Sequence, residues 1–169
     1  DLKPYVPYNS DNRRNIGYLL AMEKGGDILI SIDDDNYCRD EEDFCGCHGI
    51  CGELVDHPVV HAESGFFNIC SLLISDSPFT FYPRGFPYFA RKGIDGVAET
   101  VEPVRVGANA GLWVKSPDID AVSRLASDVQ SQGFTGKNVV LGRNTLSPVN
   151  TQNTSMIMEA GAAYYYILM

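Results

Sequence analysis

No stretch of this chain approaches the roughly eighteen consecutive apolar residues of a membrane-spanning helix, and its first residues do not follow the basic-then-apolar pattern of a signal peptide. Read alone, it is expected to be soluble. Cations are also scarce. Thirteen Lys and Arg stand against 22 Asp and Glu, for a formal net charge of −9. That balance argues against a nucleic-acid partner, because binding to a phosphate backbone runs on Lys and Arg. It leaves room for one small phosphorylated ligand if a metal mediates. Charged residues are only 21% and hydrophobic residues 44%, which argues against extensive disorder. The 169 residues can bury one good core, so a single domain over 1–169 is expected. There is no internal repeat, linker-like stretch or low-complexity tract, and tryptophan occurs once, at Trp113.

What is present centres on Asp27–Asn36, where the apolar run Ile28, Leu29, Ile30 and Ile32 ends in Asp33, Asp34 and Asp35. A β-branched run bounded by Gly25-Gly26 and then by charge reads as a strand buried on both faces. Its acidic end falls where α/β sheets place ligands. If the extended form continues, alternation puts Asp33 and Asp35 on one side. Two such charges about 4 Å apart repel by roughly 1 kcal/mol in water, and by several-fold more when partly desolvated. Something positive must offset this, and Mg²⁺ or Mn²⁺ bound by one or two carboxylates plus substrate phosphates is the most economical candidate.

Upstream, Pro4 and Pro7 flank Tyr5-Val6, a short extended lead-in. Ser10, Asp11 and Asn12 are good caps for a helix whose apolar face is Ile16, Leu19 and Leu20 and whose stop is Gly25-Gly26. Helix, turn and strand make the second half of a βαβ unit, whose crossover expects a parallel strand upstream. Arg13 and Arg14 lie in the first helical turn, unfavourably for the macrodipole, as solvated side chains or partners of an anion.

Residues 36–53 read as a loop. Cys38, Cys45, Cys47 and Cys51 crowd there beside His48 without the paired C-x-x-C spacing of zinc ribbons, although they could still close a tetrahedral site. The calcium-loop pattern fails, since Cys38 stands where a glycine is required. Val59-Val60 and Phe66–Ile74 are strand or buried helix, which periodicity cannot separate. Residues 79–88 read as an aromatic loop broken by Pro83, Gly85 and Pro87, whose aromatic faces beside Arg84 suit sugar or base stacking and equally suit plugging a core. A strand is expected over Val104–Val114, with Asn109 able to read a ligand and Trp113 a stacking floor or a core residue. A helix should open at Ser116-Pro117 with the apolar face Ile119, Val122, Leu125, Ala126 and Val129. Asp118 and Asp120 in its first turn are either dipole partners or a general base. Gly133–Lys137 reads as a turn, Asn138–Leu141 as a short strand, and Pro148–Thr154 as a cluster of amides and hydroxyls. Ala162–Met169 has β propensity.

Taken in order, Pro-Tyr-Asn-Ser at 7–10, Arg14–Leu20, Asp33–Asn36, Tyr82–Tyr88, Gly111–Trp113 with Pro117–Ala121, and Asn150–Thr154 resemble GT-A-type glycosyltransferases. The resemblance is to the STELLO-like family and, more distantly, to the reversibly glycosylated polypeptides, which act as UDP-arabinopyranose mutases. It implies an α/β fold with a mostly parallel central sheet flanked by helices, incomplete at both ends of this chain. It further implies an Asp-x-Asp element, here Asp33 and Asp35, holding Mn²⁺ or Mg²⁺ against the diphosphate of a nucleotide sugar, with a UDP-sugar the expected donor. Arg14, Asp34, Arg84, Asn109 and Trp113 are the candidate donor contacts. Asp118 or Asp120 would deprotonate a hydroxyl acceptor. A cytoplasmic location is expected if the chain is complete, and a Golgi-associated one if flanking segments are missing. The alternatives are a UDP-sugar mutase and a non-catalytic module built on a zinc site at Cys45, Cys47, His48 and Cys51.

Overall fold

The computed structural model describes residues 8–91 and 96–164. The lead-in around Tyr5-Val6 and most of the C-terminal apolar stretch lie outside the described residues. In chain order the elements are α1 (Arg14–Glu23), β1 (Ile28–Ile32), α2 (Phe44–His48), β2 (Leu54–Ala62), β3 (Leu73–Ile74), β4 (Val97–Arg105), β5 (Ala108–Ala110), α3 (Ala121–Ala126), β6 (Gly133–Phe134), β7 (Val140–Leu141), β8 (Asn153–Ile157) and α4 (Met158–Gly161). Short 3-10 turns occupy Asp11–Arg13, Ile69–Leu72, Tyr88–Arg91 and Ala162–Tyr164. No helix among the described residues is long and apolar enough to cross a membrane.

Contacts divide the chain into two compact units, one comprising Asp1–Leu54, Arg105–Ala110 and Thr151–Met169, the other Val55–Val104 and Gly111–Asn150. In the first unit, β8 is the middle strand of a three-stranded sheet ordered β1-β8-β5. Both of its pairings are antiparallel, with Ile30 opposite Ser155 and Asn109 opposite Ser155 on the other side. Helix α1 covers this sheet through Tyr18, which packs with Leu29 and the fully buried Met156. Burying a side chain of this size contributes roughly 2 kcal/mol. Ser10 caps the 3-10 turn Asp11–Arg13 that leads into α1, its Oγ accepting the Asn12 N–H at 3.2 Å, whereas α1 itself has Arg13 at its N-cap and no side-chain cap bond. The helix stops at Gly25, whose φ of +73° is a left-handed conformation that glycine adopts without a steric penalty. The buried face differs from the expected one. Tyr18 and Asn15 point inward, whereas Leu19 and Leu20 are exposed.

The second unit holds a sheet ordered β4-β2-β7, in which β2 and β7 are parallel, and a two-stranded antiparallel sheet of β3 and β6. One of its clusters is Cys70, Leu73, Phe81, Ile119 and Val129. The expected strand over Val104–Val114 is divided into the end of β4 and the short β5. The expected helix from Ser116-Pro117 begins later, at Ala121, because the Asp120 carboxylate accepts the Val122 and Ser123 N–H groups, both at 3.1 Å. Ile119 and Val129 are buried outside the helix, while Leu125 within it is 89% exposed.

The mostly parallel central sheet flanked by helices is therefore not formed. The chain is small, mixed α/β and richer in β structure, with several antiparallel pairings and short helices. The physical reason is visible at β1. Its partner is β8, brought from the far end of the chain rather than through a helical crossover, and Ile30 and Ile32 on its outer face are exposed rather than buried. A short apolar run does not distinguish a central parallel strand from an edge strand.

Candidate functional site

At the end of β1 the extended backbone stops. The Asn36 N–H donates to the Asp33 carbonyl at 3.3 Å, closing a turn that places Asp34 and Asp35 at its exposed corners. The alternation expected to put Asp33 and Asp35 on one side does not extend past Ile32. Asp33 continues the β8 ladder, donating its N–H to the Gln152 carbonyl at 3.1 Å. Its carboxylate is ion-paired with the Arg14 guanidinium. Arg14 also donates to the Thr151 carbonyl at 3.2 Å and to the Thr151 hydroxyl, and Asn36 Nδ2 donates to the Gln152 carbonyl at 2.9 Å. Three blocks far apart in sequence, at 14, 33–36 and 151–152, thus form one polar surface. The positive charge required beside Asp33 is supplied by Arg14. Among the described residues, no group of three or more His, Cys, Asp or Glu side chains is arranged to hold a metal ion. The donors present fit a cation carried in with phosphate oxygens and met by one or two carboxylates, not a preformed metal centre.

In the second unit, the aromatic loop and the 118–120 segment come together. Arg84 donates its backbone N–H to the Asp118 carbonyl at 3.0 Å and pairs through Nη2 with Asp118 Oδ2 at 3.1 Å. Asn150 Nδ2 donates to the same oxygen at 3.1 Å. Asp120 pairs with Arg91, which sequence reasoning did not single out, at 3.1 Å, the two side chains being 13% and 14% exposed. Arg91 also lies over the Tyr82 and Tyr88 rings, 5.1 and 4.4 Å from their centroids, and donates to the Phe86 carbonyl. Burial pulls the Asp120 pKa up, but the Ser123 backbone and hydroxyl hydrogen bonds, Arg91 and the Val122 N–H together hold it below the ordinary carboxylate range. Burial, reinforced by Asp118 and Asp120, pushes the nearby Cys70 thiol up to about 12.

Asn109 and Trp113 do not form one ligand-reading strand. Asn109 lies on β5 in the first unit and donates to the Cys47 carbonyl at 2.9 Å. Trp113 belongs to the second unit and is half-buried. Within the cysteine-rich segment, His48 is buried with Nδ1 2.9 Å from Ser155 Oγ and Nε2 2.8 Å from Asn153 Oδ1. Cys51 is buried against the same serine hydroxyl at 3.2 Å, while Cys45 and Cys47 are exposed. Both imidazole nitrogens are thus engaged in hydrogen bonds that fasten α2 to β8, which leaves His48 no lone pair for a metal in this arrangement. The residue spacing carried no signal for this network, because its partners lie more than a hundred positions downstream. No family model matches the chain, and comparison with curated proteins returns no match.

Proposed function

We propose that this chain contributes the donor-binding surface of a nucleotide-sugar-dependent glycosyltransferase, with the diphosphate seated at the end of β1. The observation that carries this is the convergence of Arg14, Asp33, Asn36, Thr151 and Gln152, drawn from three of the sequence blocks on which the resemblance rests. A guanidinium offers planar, multiple donors matched to phosphate oxygens, and Arg14 already spans a carboxylate and a hydroxyl. Diphosphate binding would exchange its Asp33 contact for phosphate. Asp33 would then face a divalent cation together with the exposed Asp34 or Asp35. Mg²⁺ or Mn²⁺ held there would supply positive charge to offset that of a departing diphosphate. Asn36 and Thr151 supply uncharged polar contacts beside it.

Calorimetric titration of UDP with and without Mn²⁺ tests this. The expected result is heat that depends on Mn²⁺ and disappears in Asp35→Asn, with melting temperature unchanged or slightly raised because one repulsion is removed. Equal, negligible heats in both titrations would sink the proposal.

A further inference from the structure

Two turns follow one another between Pro83 and Ala90. The Phe86 N–H donates to the Pro83 carbonyl at 3.0 Å and the Ala90 N–H to the Pro87 carbonyl at 3.1 Å. Arg84 and Gly85 stand at the exposed corners of the first turn, Tyr88 and Phe89 at those of the second. Phe86, buried between them, packs on Phe66 and Tyr82 with ring centroids 6.1 and 4.9 Å away. Gly85, at a φ of +84°, brings the first turn close to Pro148, which lies 3.7 Å from where a Cβ would stand. The prolines at 83 and 87 fix φ, and with this packing they hold the turns in place before any ligand arrives, which lowers the entropy lost on binding.

The corners carry two kinds of chemistry. Tyr88 and Phe89 are 67% and 72% exposed, yet both rings are held. Phe89 stands edge-on to Phe66 at 5.6 Å, and the Arg91 guanidinium lies over the Tyr88 ring, 4.4 Å from its centroid. Rings this exposed leave apolar, electron-rich surface in water. Arg84 is 62% exposed and anchored twice on Asp118, through its backbone N–H and through Nη2. A guanidinium has further N–H donors to offer. Asn150 Nδ2 donates to the same Asp118 oxygen as Arg84, so three planar polar groups are fixed together.

Charge selects the ligand. Residues 79–91 and 146–150 hold two charged side chains, Arg84 and Arg91, and each is matched by an aspartate, Asp118 and Asp120. These pairs leave no net charge to draw in a phosphate or a carboxylate. Aromatic faces beside neutralised hydrogen-bonding groups match a sugar, which is apolar C–H on its ring faces and hydroxyl around its rim. Apolar lining with a few placed polar groups is the usual make-up of a small-ligand site. Arg84 and Tyr88 are four positions apart, at most about 14 Å of chain, a distance that a short oligosaccharide spans.

We propose that the two turns and the Arg84–Asp118 pair bind a neutral oligosaccharide, one ring stacked on Tyr88 or Phe89 and the hydroxyls of a neighbouring ring on Arg84 and Asp118. This surface lies wholly in the second unit and its ligand carries no phosphate, so it is independent of the nucleotide-sugar reading.

The test titrates the whole chain with cellotetraose, xylotetraose and mannotetraose, without UDP or Mn²⁺, and follows backbone amides by two-dimensional NMR. The expected result is saturable shifts centred on residues 84–90 and Asp118 with at least one of the three, insensitive to salt because the ligand is uncharged. Tyr88→Ala combined with Phe89→Ala should weaken that binding about tenfold or more, about 1.4 kcal/mol. Arg84→Gln, at an exposed side chain, should weaken it as well, and keeps the proposal falsifiable should the double variant misfold. Leu125→Ala, at an exposed residue of α3, should bind like the wild type. No saturable shift with any of the three sugars, or binding that the aromatic and Arg84 variants leave unchanged, overturns the proposal. So do shifts centred on Asp33–Asn36, and so does self-association through Tyr88 and Phe89 that no sugar displaces.

Discussion

Two arginine–aspartate pairs of similar chemistry serve different ends in the two units. Arg91 and Asp120 are nearly buried, and Asp120 spends its oxygens on a helix cap as well as on its cation. Arg14 and Asp33 are 31% and 21% exposed and stand beside two further carboxylates in solvent. In the first pair one carboxylate serves two purposes, Oδ1 capping α3 and Oδ2 meeting Arg91. In the proposed function the second exchanges partners, with water and neighbouring polar groups compensating either ion. Burial, more than residue type, separates an architectural ion pair from one able to meet a ligand.

The sharpest way to break that contrast is Asp120→Ala. It removes the cap and strands Arg91 among aromatic rings, and is expected to cost about 3 kcal/mol in urea unfolding. A cost below about 1 kcal/mol would show the pair to be no more architectural than a surface one. The pH dependence follows with a definite sign. Because the folded-state pKa of Asp120 is lowered, its contribution is fully present above the ordinary carboxylate pKa and is lost as pH falls through the lowered one. Urea unfolding of Asp120→Asn should therefore show a shallower loss of stability on acidification than wild type, and parallel curves would refute the assignment. Arg14→Ala should lower stability by only about 1 kcal/mol yet abolish UDP binding in the presence of Mn²⁺. Persistence of that binding would move the diphosphate elsewhere.

Smaller still is the effect on thiol chemistry. At neutral pH Cys38, Cys45 and Cys47 are exposed and should react with iodoacetamide in the native protein. Buried Cys51 and Cys70 should react only after unfolding. Mass spectrometry of the labelled peptides reads this directly, and native labelling of Cys70 would contradict the burial of the second unit's cluster.

Local features were the legible ones. The Ser10 cap on the 3-10 turn before α1, the stop at Gly25 and the strand Ile28–Ile32 follow from residue chemistry within a few positions. What the sequence could not show was pairing over distance. Nothing in Ile28–Ile32 announces β8 as its antiparallel neighbour, so a strand that is outermost among the described residues reads as one inside a parallel sheet. Similarly, three adjacent aspartates call for positive charge, and nothing in their spacing shows that Arg14, nineteen positions upstream, supplies part of it at Asp33. From sequence, Asp120 reads as either a dipole partner or a base. Spacing does not show that its carboxylate accepts from the Val122 and Ser123 N–H groups, the Ser123 hydroxyl and Arg91.

Paramagnetic broadening of amide resonances by substoichiometric Mn²⁺, recorded with and without UDP, tests the placement of the diphosphate most directly. The account predicts broadening that strengthens with UDP and centres on Asp33–Asn36 together with Thr151 and Gln152. Broadening centred on other residues, or unchanged by UDP, would contradict it.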